Sequence, residues 1–379
     1  MFLQSNPKSD VALSVGSFTY SEILQQPELW PTTLEIVRKS GWPPESGLPK
    51  ARSGRRILIT GAGTSAYAAS AIASSWPNAD AIPTTDLLIE SKTEIANRFS
   101  SFASPGLLVS IARSGDSPES VAVVSRIRGL GAEIQHLVIT CNADGRLANM
   151  PGVSSIILDP RTNDRGLAMT SSFSNLVLAG LCIHNGDELA EILPSICRNV
   201  AQRLLDLDNR AERLASGPIQ RVLILSSGPL RALAAEASLK VLEMTAGRTI
   251  PLAETFLGLR HGPMSFVTPD TLVVCFLSSS PHRRRYEEDL VGELRQKGLG
   301  RIVGIAPEGA DTSLFHECIP ACAGHIRDEL RVPFEIPFTQ LLAYHLSRKE
   351  GLDPDNPSPT GAITRVVQEF VTYDEASDV

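Results

Sequence analysis

Two groups of residues in this 379-residue chain could do chemistry. The first is Lys240-Val241-Leu242-Glu243 on a helical pattern, with Leu259-Arg260-His261-Gly262-Pro263 a short way behind it. A carboxylate and an imidazole near a sugar phosphate can divide proton transfer, one moving a proton between adjacent carbons and the other opening the ring. Each also has a plainer reading: Glu243 as the solvated helix partner of Lys240, and His261 as a hydrogen-bonded loop histidine. The second group is two hydroxyl-rich turns, Gly61-Ala62-Gly63-Thr64-Ser65 and Arg113-Ser114-Gly115-Asp116-Ser117, each running directly into a helical pattern. Unpaired N–H groups and the dipole at a helix start attract an anion, and serine and threonine add donors, so the turns suit a phosphoryl group. Either turn alone could be no more than a turn and an N-cap. Two of them at neighbouring strand ends favour one anion site around Gly63, Ser65, Ser114 and Ser117. No Gly-Lys-Ser/Thr follows either turn, and the third glycine of a dinucleotide loop is missing, so no nucleotide cofactor is expected.

The elements that must carry these groups are written twice in the chain. Arg56-Ile57-Leu58-Ile59-Thr60-Gly61 and Arg221-Val222-Leu223-Ile224-Leu225-Ser226 are buried-strand patterns separated by 165 residues. The same offset carries Leu107-Leu108-Val109 onto Leu272-Val273-Val274, Ser114 onto Ser279, Leu137-Val138 onto Ile302-Val303 and Phe173 onto Phe338. Continuous apolar strands alternating with helices predict a duplicated α/β fold with parallel, doubly wound, flavodoxin-like sheets. The expected organisation is a helical extension over residues 1–50, broken by Pro27 and Pro31 and packed on the first unit. A first unit over 51–215 carries the phosphate turns, and a second over 216–379 carries Glu243 and His261. A helical stretch from Glu188 to Leu214 should link the two copies and end at Ser216-Gly217-Pro218. In the second copy Ser227-Gly228-Pro229 and Ser278-Ser279-Ser280-Pro281 replace the two turns; proline and the lost glycine weaken the cradle, so one phosphate site per chain is expected.

Lys plus Arg number 35 against 42 Asp plus Glu, and the net charge of −7 leaves no basic footprint for nucleic acid. A small molecule is the expected partner. Six scattered cysteines and no secretory pattern at the start fit reduced thiols and a cytoplasmic location, and no apolar run reaches the roughly 20 residues of a membrane span. His316, Cys318, Cys322 and His325 fall within ten residues, yet in a strand the two cysteines would stand about 13 Å apart, too far for one zinc, so packing is expected there. Arg283-Arg284-Arg285 reads as a solvated helix start answered by Glu287-Glu288-Asp289.

The turns, Ser114-Gly115-Asp116-Ser117-Pro118-Glu119-Ser120 and Arg260-His261-Gly262-Pro263 on a duplicated α/β unit resemble the sugar isomerase (SIS) superfamily, which includes the isomerase half of glucosamine-6-phosphate synthase. Asp164-Arg165-Gly166-Leu167-Ala168-Met169-Thr170-Ser171-Ser172, Leu239-Lys240-Val241-Leu242-Glu243-Met244-Thr245-Ala246-Gly247 and Thr364-Arg365-Val366-Val367-Gln368 make the AgaS family the most similar branch. That resemblance implies two tandem SIS units and a deaminase/isomerase turning D-galactosamine 6-phosphate into D-tagatose 6-phosphate and ammonia. The alternatives it leaves are an isomerase that keeps the nitrogen and a non-catalytic phosphosugar sensor. It implies that Ser65, Ser114 and Ser117 hold the phosphate with Gly63, Thr64, Gly115 and Arg113 beside them. By the same resemblance Glu243 shuttles a proton between C2 and C1, Lys240 assists it, and His261 opens the ring from a neighbouring subunit, which implies a homodimer or larger homo-oligomer. Asp164 and Arg260 are the sugar-binding candidates, and no metal or other cofactor is expected. The chain departs from relatives at Ala112, at Gly258, and at Arg365, near which relatives carry a catalytic lysine; no glutaminase domain is expected.

Overall fold

The computed structural model describes residues 16–43, 57–100, 106–130, 134–367 and 371–373. In the first unit β1 (Ile57–Thr60), β2 (Ala79–Ala81), β3 (Leu107–Ala112), β4 (Gln135–Thr140) and β5 (Ser154–Ile157) form a parallel sheet ordered β2-β1-β3-β4-β5. In the second, β6 (Arg221–Ser226), β7 (Ile250–Thr255), β8 (Thr271–Phe276), β9 (Arg301–Ala306) and β10 (Glu317–Pro320) are also parallel. Their order, β10-β9-β8-β6-β7, is that of the first sheet read from the other edge. Every residue of β1, β3 and β8 is buried, because helices cover both faces; that is why these strands read as unbroken apolar runs rather than alternating ones.

The helices of the first unit are α3 (Thr64–Ala73), α4 (Thr84–Ile89), α5 (Lys92–Ser100) and α6 (Pro118–Arg128); α7 (Ser171–Ala215) closes it. The second unit has α8 (Arg231–Met244), α9 (Pro281–Gln296) and α10 (Val332–Lys349). The linking helix is longer than its periodicity suggested: α7 runs 45 residues, with only Asn185 leaving helical geometry at φ −117° and ψ 26°. Its buried face packs on α10, α2 and α3, so it joins both units through one apolar core.

The N-terminal extension differs from expectation in two ways. It forms α1 (Ser17–Leu24) and α2 (Gln26–Lys39), and Pro31 lies inside α2 without ending it. Pro27 sits in the first turn, where a missing N–H costs nothing. Around Pro31 the burial of Leu29, Trp30, Thr33, Leu34 and Val37 holds the helix together. The extension also touches both units rather than the first alone. Trp30 is fully buried edge-on to Phe334 of α10, ring centroids 5.1 Å apart, while its Nε1 donates to Ser174 Oγ of α7 at 3.1 Å. Among the described residues no helix is long and apolar enough to cross a membrane.

Candidate functional site

Both hydroxyl-rich turns stand at carboxyl ends of adjacent strands, β1 and β3, where the sheet order reverses direction; that is the switch point at which open α/β sheets bind ligands. Gly63 and Gly115 take φ of 57° and 72°, the left-handed region that glycine enters without steric cost, and this lets each chain turn sharply into α3 and α6. Ser114 Oγ accepts the Asp116 N–H at 3.2 Å. Its own proton is thereby left to be donated into the space in front. That space is a cavity of about 280 Å³ lined by Gly63, Ser65, Arg113, Ser114 and Ser117, with Met169 and residues 364–367 on the far side.

The cavity is electropositive. The Arg113 guanidinium is buried and bonds backbone carbonyls, Leu167 O at 3.0 Å and Arg365 O at 2.6 Å. Arg365 donates to Asp164 O and to Asn163 Oδ1, the latter at 2.7 Å. Among the described residues neither arginine meets a carboxylate within ion-pair distance. Burial, then the like charge of Arg365, holds the Arg113 pKa below the ordinary guanidinium value, although it stays cationic. Two adjacent cations outnumber the one carboxylate in the lining, Glu119, and are stabilised by a bound dianion. Losing one hydroxyl donor to such an anion costs about 1.5–3 kcal/mol. Ser114→Ala should therefore weaken binding of a hexitol 6-phosphate about 10- to 100-fold by calorimetry, with the melting temperature unchanged.

The proton-transfer candidates lie behind α3. Lys240 is wholly buried, not a solvated partner, and its Nζ reaches Glu243 Oε2 at 2.5 Å and Thr64 Oγ1 at 3.0 Å. Glu243 keeps 23% of its side chain exposed, so it alone of the pair opens to solvent. Thr64 is thus placed differently from its neighbours: its hydroxyl faces Lys240 and Glu236, not the cavity, and Gly115 shapes the turn behind the cavity wall. Lys240 and Glu243 likewise lie outside the cavity lining and reach it through the first turn of α3.

Three sequence expectations change. Asp164 is fully buried and spent on capping α7: its carboxylate accepts from the N–H groups of Thr170 at 2.8 Å, Ser171 at 3.0 Å and Ser172 at 2.9 Å, and from both flanking hydroxyls. A carboxylate has about four acceptor sites, so none is left for a sugar. Asp164→Asn would turn an N–H group toward those donors and should lower the urea-unfolding free energy by about 2–4 kcal/mol. Arg260 is the second correction; it pairs with Asp289 at 2.7 Å and Glu293 at 2.8 Å on α9, away from the cavity. His261, on the turn after β7, is exposed and does not line the cavity of its own chain.

The third change concerns the second unit. Its loop at Ser278 and Ser279 is filled by the Asp328 carboxylate, which accepts from Ser279 N at 2.8 Å, Ser279 Oγ at 2.8 Å, Arg283 at 2.6 Å and Arg331 at 3.0 Å, and from Ser278 Oγ. Burial would raise the Asp328 pKa, but these donors outweigh it and hold it below the usual carboxylate range. Arg283 therefore belongs to a closed anion cradle rather than to a solvated helix start. The position equivalent to the first unit's Ser114 turn is occupied by the chain itself. The histidine–cysteine segment also packs: His316 Nδ1 accepts from Ile302 N at 2.9 Å, Cys318 lies on β10, and Cys322 lies just past it against Arg203.

The residue the sequence reading passes over is Glu236, while Glu119 and Arg365 enter it only as parts of motifs with no site role assigned. Glu236 lies one turn before Lys240 on α8, a spacing that could have signalled it. Glu119 is the acidic residue in the first turn of α6 and lines the cavity with one oxygen buried and unbonded. Arg365 stands in the sequence near the place of the relatives' lysine, but nothing local signals its approach to Arg113, about 250 residues earlier.

Two parallel sheets of this order, with hydroxyl-rich turns at one switch point, make a duplicated doubly wound α/β protein, and its structural neighbours are proteins of the sugar isomerase (SIS) class. D-Galactosamine-6-phosphate deaminase AgaS of Shewanella sp. strain ANA-3 is 36% identical over 94% of this chain and 92% of its own length. The protein of that name from Escherichia coli is 35% identical, over 96% and 97%. A solved structure of tagatose-6-phosphate ketose/aldose isomerase from Escherichia coli superposes with a TM-score of 0.81 at 31% identity, covering 97% of this chain and all of that one. The chain belongs to the AgaS family. No family model matches it.

Proposed function

We propose that this protein converts D-galactosamine 6-phosphate to D-tagatose 6-phosphate and ammonia, as the names of its AgaS relatives suggest for them. The observation that carries the reading is the buried Lys240–Glu243 pair joined through Thr64 to a cationic cavity built from the two serine turns. Ser65, Ser114, Ser117 and Arg113 hold the 6-phosphate. His261 from a second copy of the chain carries a proton from the anomeric hydroxyl to the ring oxygen as the bond between C1 and that oxygen breaks, giving the open-chain aldehyde, which makes a homodimer the smallest complete unit. Glu243 takes the C2 proton, and the C1 oxygen gains a proton as the enolamine forms. The Lys240 ammonium limits the cost of negative charge at that stage. Glu243 returns its proton to C1, leaving a ketimine at C2. Water adds to C2 and ammonia departs, so one water is consumed and one ammonia released for each ketose formed.

A second reading, isomerisation with no loss of nitrogen, uses the same groups and follows the name of the solved Escherichia coli structure. Ammonia release measured with galactosamine 6-phosphate and glucosamine 6-phosphate, beside tagatose 6-phosphate interconversion, tests both. Ammonia formed fastest from galactosamine 6-phosphate supports the first. Interconversion without ammonia from either amino sugar overturns it.

A further inference from the structure

Glu236, Lys240 and Glu243 occupy one face of α8, at spacings of four and three residues. The first two side chains have no solvent exposure at all. Lys240 Nζ stands 2.5 Å from Glu243 Oε2 and 3.4 Å from Glu236 Oε1, so one ammonium is shared by two carboxyl groups. Thr64 Oγ1, which accepts from Lys240, donates to the same Glu236 oxygen at 3.3 Å. The other oxygen, Glu236 Oε2, is buried without a partner. Tyr67 on α3 feels the charge of all three groups, and Lys240 is the cation that pulls most on Glu236.

The geometry points to Glu236 as a positioning residue that competes with Glu243 for the Lys240 ammonium and so sets how readily Glu243 takes the substrate's C2 proton. While Glu236 is neutral, Lys240 is bound to Glu243 alone. Once Glu236 ionises, it draws the ammonium back by one helical turn and frees the outer carboxylate for the substrate. Burial pushes the Glu236 pKa up to about 8, against the pull of Lys240, so the exchange falls within the working pH range. An unbonded buried carboxylate oxygen is costly, and a neutral carboxyl at neutral pH reduces that cost.

The inference rests on Glu243 being the base. The test compares pH profiles of kcat for wild type and Glu236→Gln, which keeps shape and the Thr64 contact but cannot ionise. Wild-type kcat should rise several-fold through a step near pH 8, and the variant should lack that step while KM changes less than twofold. The same step retained in the variant overturns the role of Glu236. Should the glutamine variant not fold, Glu236→Met, apolar and of similar length, carries the same comparison. A wild-type protein that releases no ammonia and interconverts no ketose removes the underlying assignment instead, so the two failures are distinct.

Discussion

Glu243→Gln should lose about 10³-fold or more in kcat while binding a hexitol 6-phosphate with wild-type affinity, since a positioned general base contributes about 10²–10⁴-fold. The hexitol has the phosphoryl tail and no carbonyl, so it reports the cavity without the reaction. Glutamine matches glutamate in shape and keeps an oxygen for Lys240, whose ammonium stands 2.5 Å away. A stability loss is not expected, because the side chain is 23% exposed and lies at the edge of the cluster. Removing Lys240 is the harsher change: it would take away the ammonium that Glu236, Glu243 and Thr64 share and leave buried acceptors unpaired, at a cost of about 1–3 kcal/mol. A second readout isolates the base. In deuterium oxide the wild type should place solvent deuterium at C1 of the ketose product, and the variant should do so no faster than it turns over. Wild-type ammonia release by the variant would assign the C2 proton to another group.

Much of this arrangement can be read before any coordinates. Parallel strands covered on both faces must be apolar along their whole length, so duplication left the same signature at Ile57 and Val222, and at Leu107 and Leu272. The turns were legible for a related reason: Gly63 and Gly115 are required where the backbone enters the left-handed region. What stayed hidden was long-range. Glu236 and Lys240 have the spacing of an ordinary exposed helix pair, and only the packing of α8 against α3 of the other unit buries them. Arg365 and Arg113 become neighbours because the chain after α10 returns across the first unit, fastened where Asp355 accepts from Thr19 N at 2.7 Å and Leu167 N donates to Asp355 O at 2.9 Å. Asp164 was misplaced although its signal was present. Thr170-Ser171-Ser172 at a helix start offers three N–H groups and two hydroxyls to one nearby carboxylate, which is the demand of an N-cap rather than of a ligand.

His261→Ala should lose about 10²-fold or more in turnover, and pairing it with Glu243→Gln decides where the imidazole acts. In its own chain His261 is exposed on the turn between β7 and β8 and takes no part in lining the cavity. Nearby Leu257 is also exposed, at 43%, so this end of the second unit presents apolar surface beside the histidine. If the imidazole serves a second copy, a heterodimer carrying Glu243→Gln in one chain and His261→Ala in the other has one site with both defects and one with neither. Purified through two different affinity tags after co-expression, that heterodimer should show about half the wild-type activity, although each parent homodimer is nearly inactive. If the imidazole instead serves its own chain, every site in the heterodimer carries one defect and activity stays at the parental level. A twofold axis exchanges the two histidines, so the outcome depends only on which chain each one serves. Recovery would also explain the hydrogen bonding of the site. Lys240, Thr64 and Arg113 have their partners within one chain, whereas among the described residues no hydrogen bond holds the His261 ring.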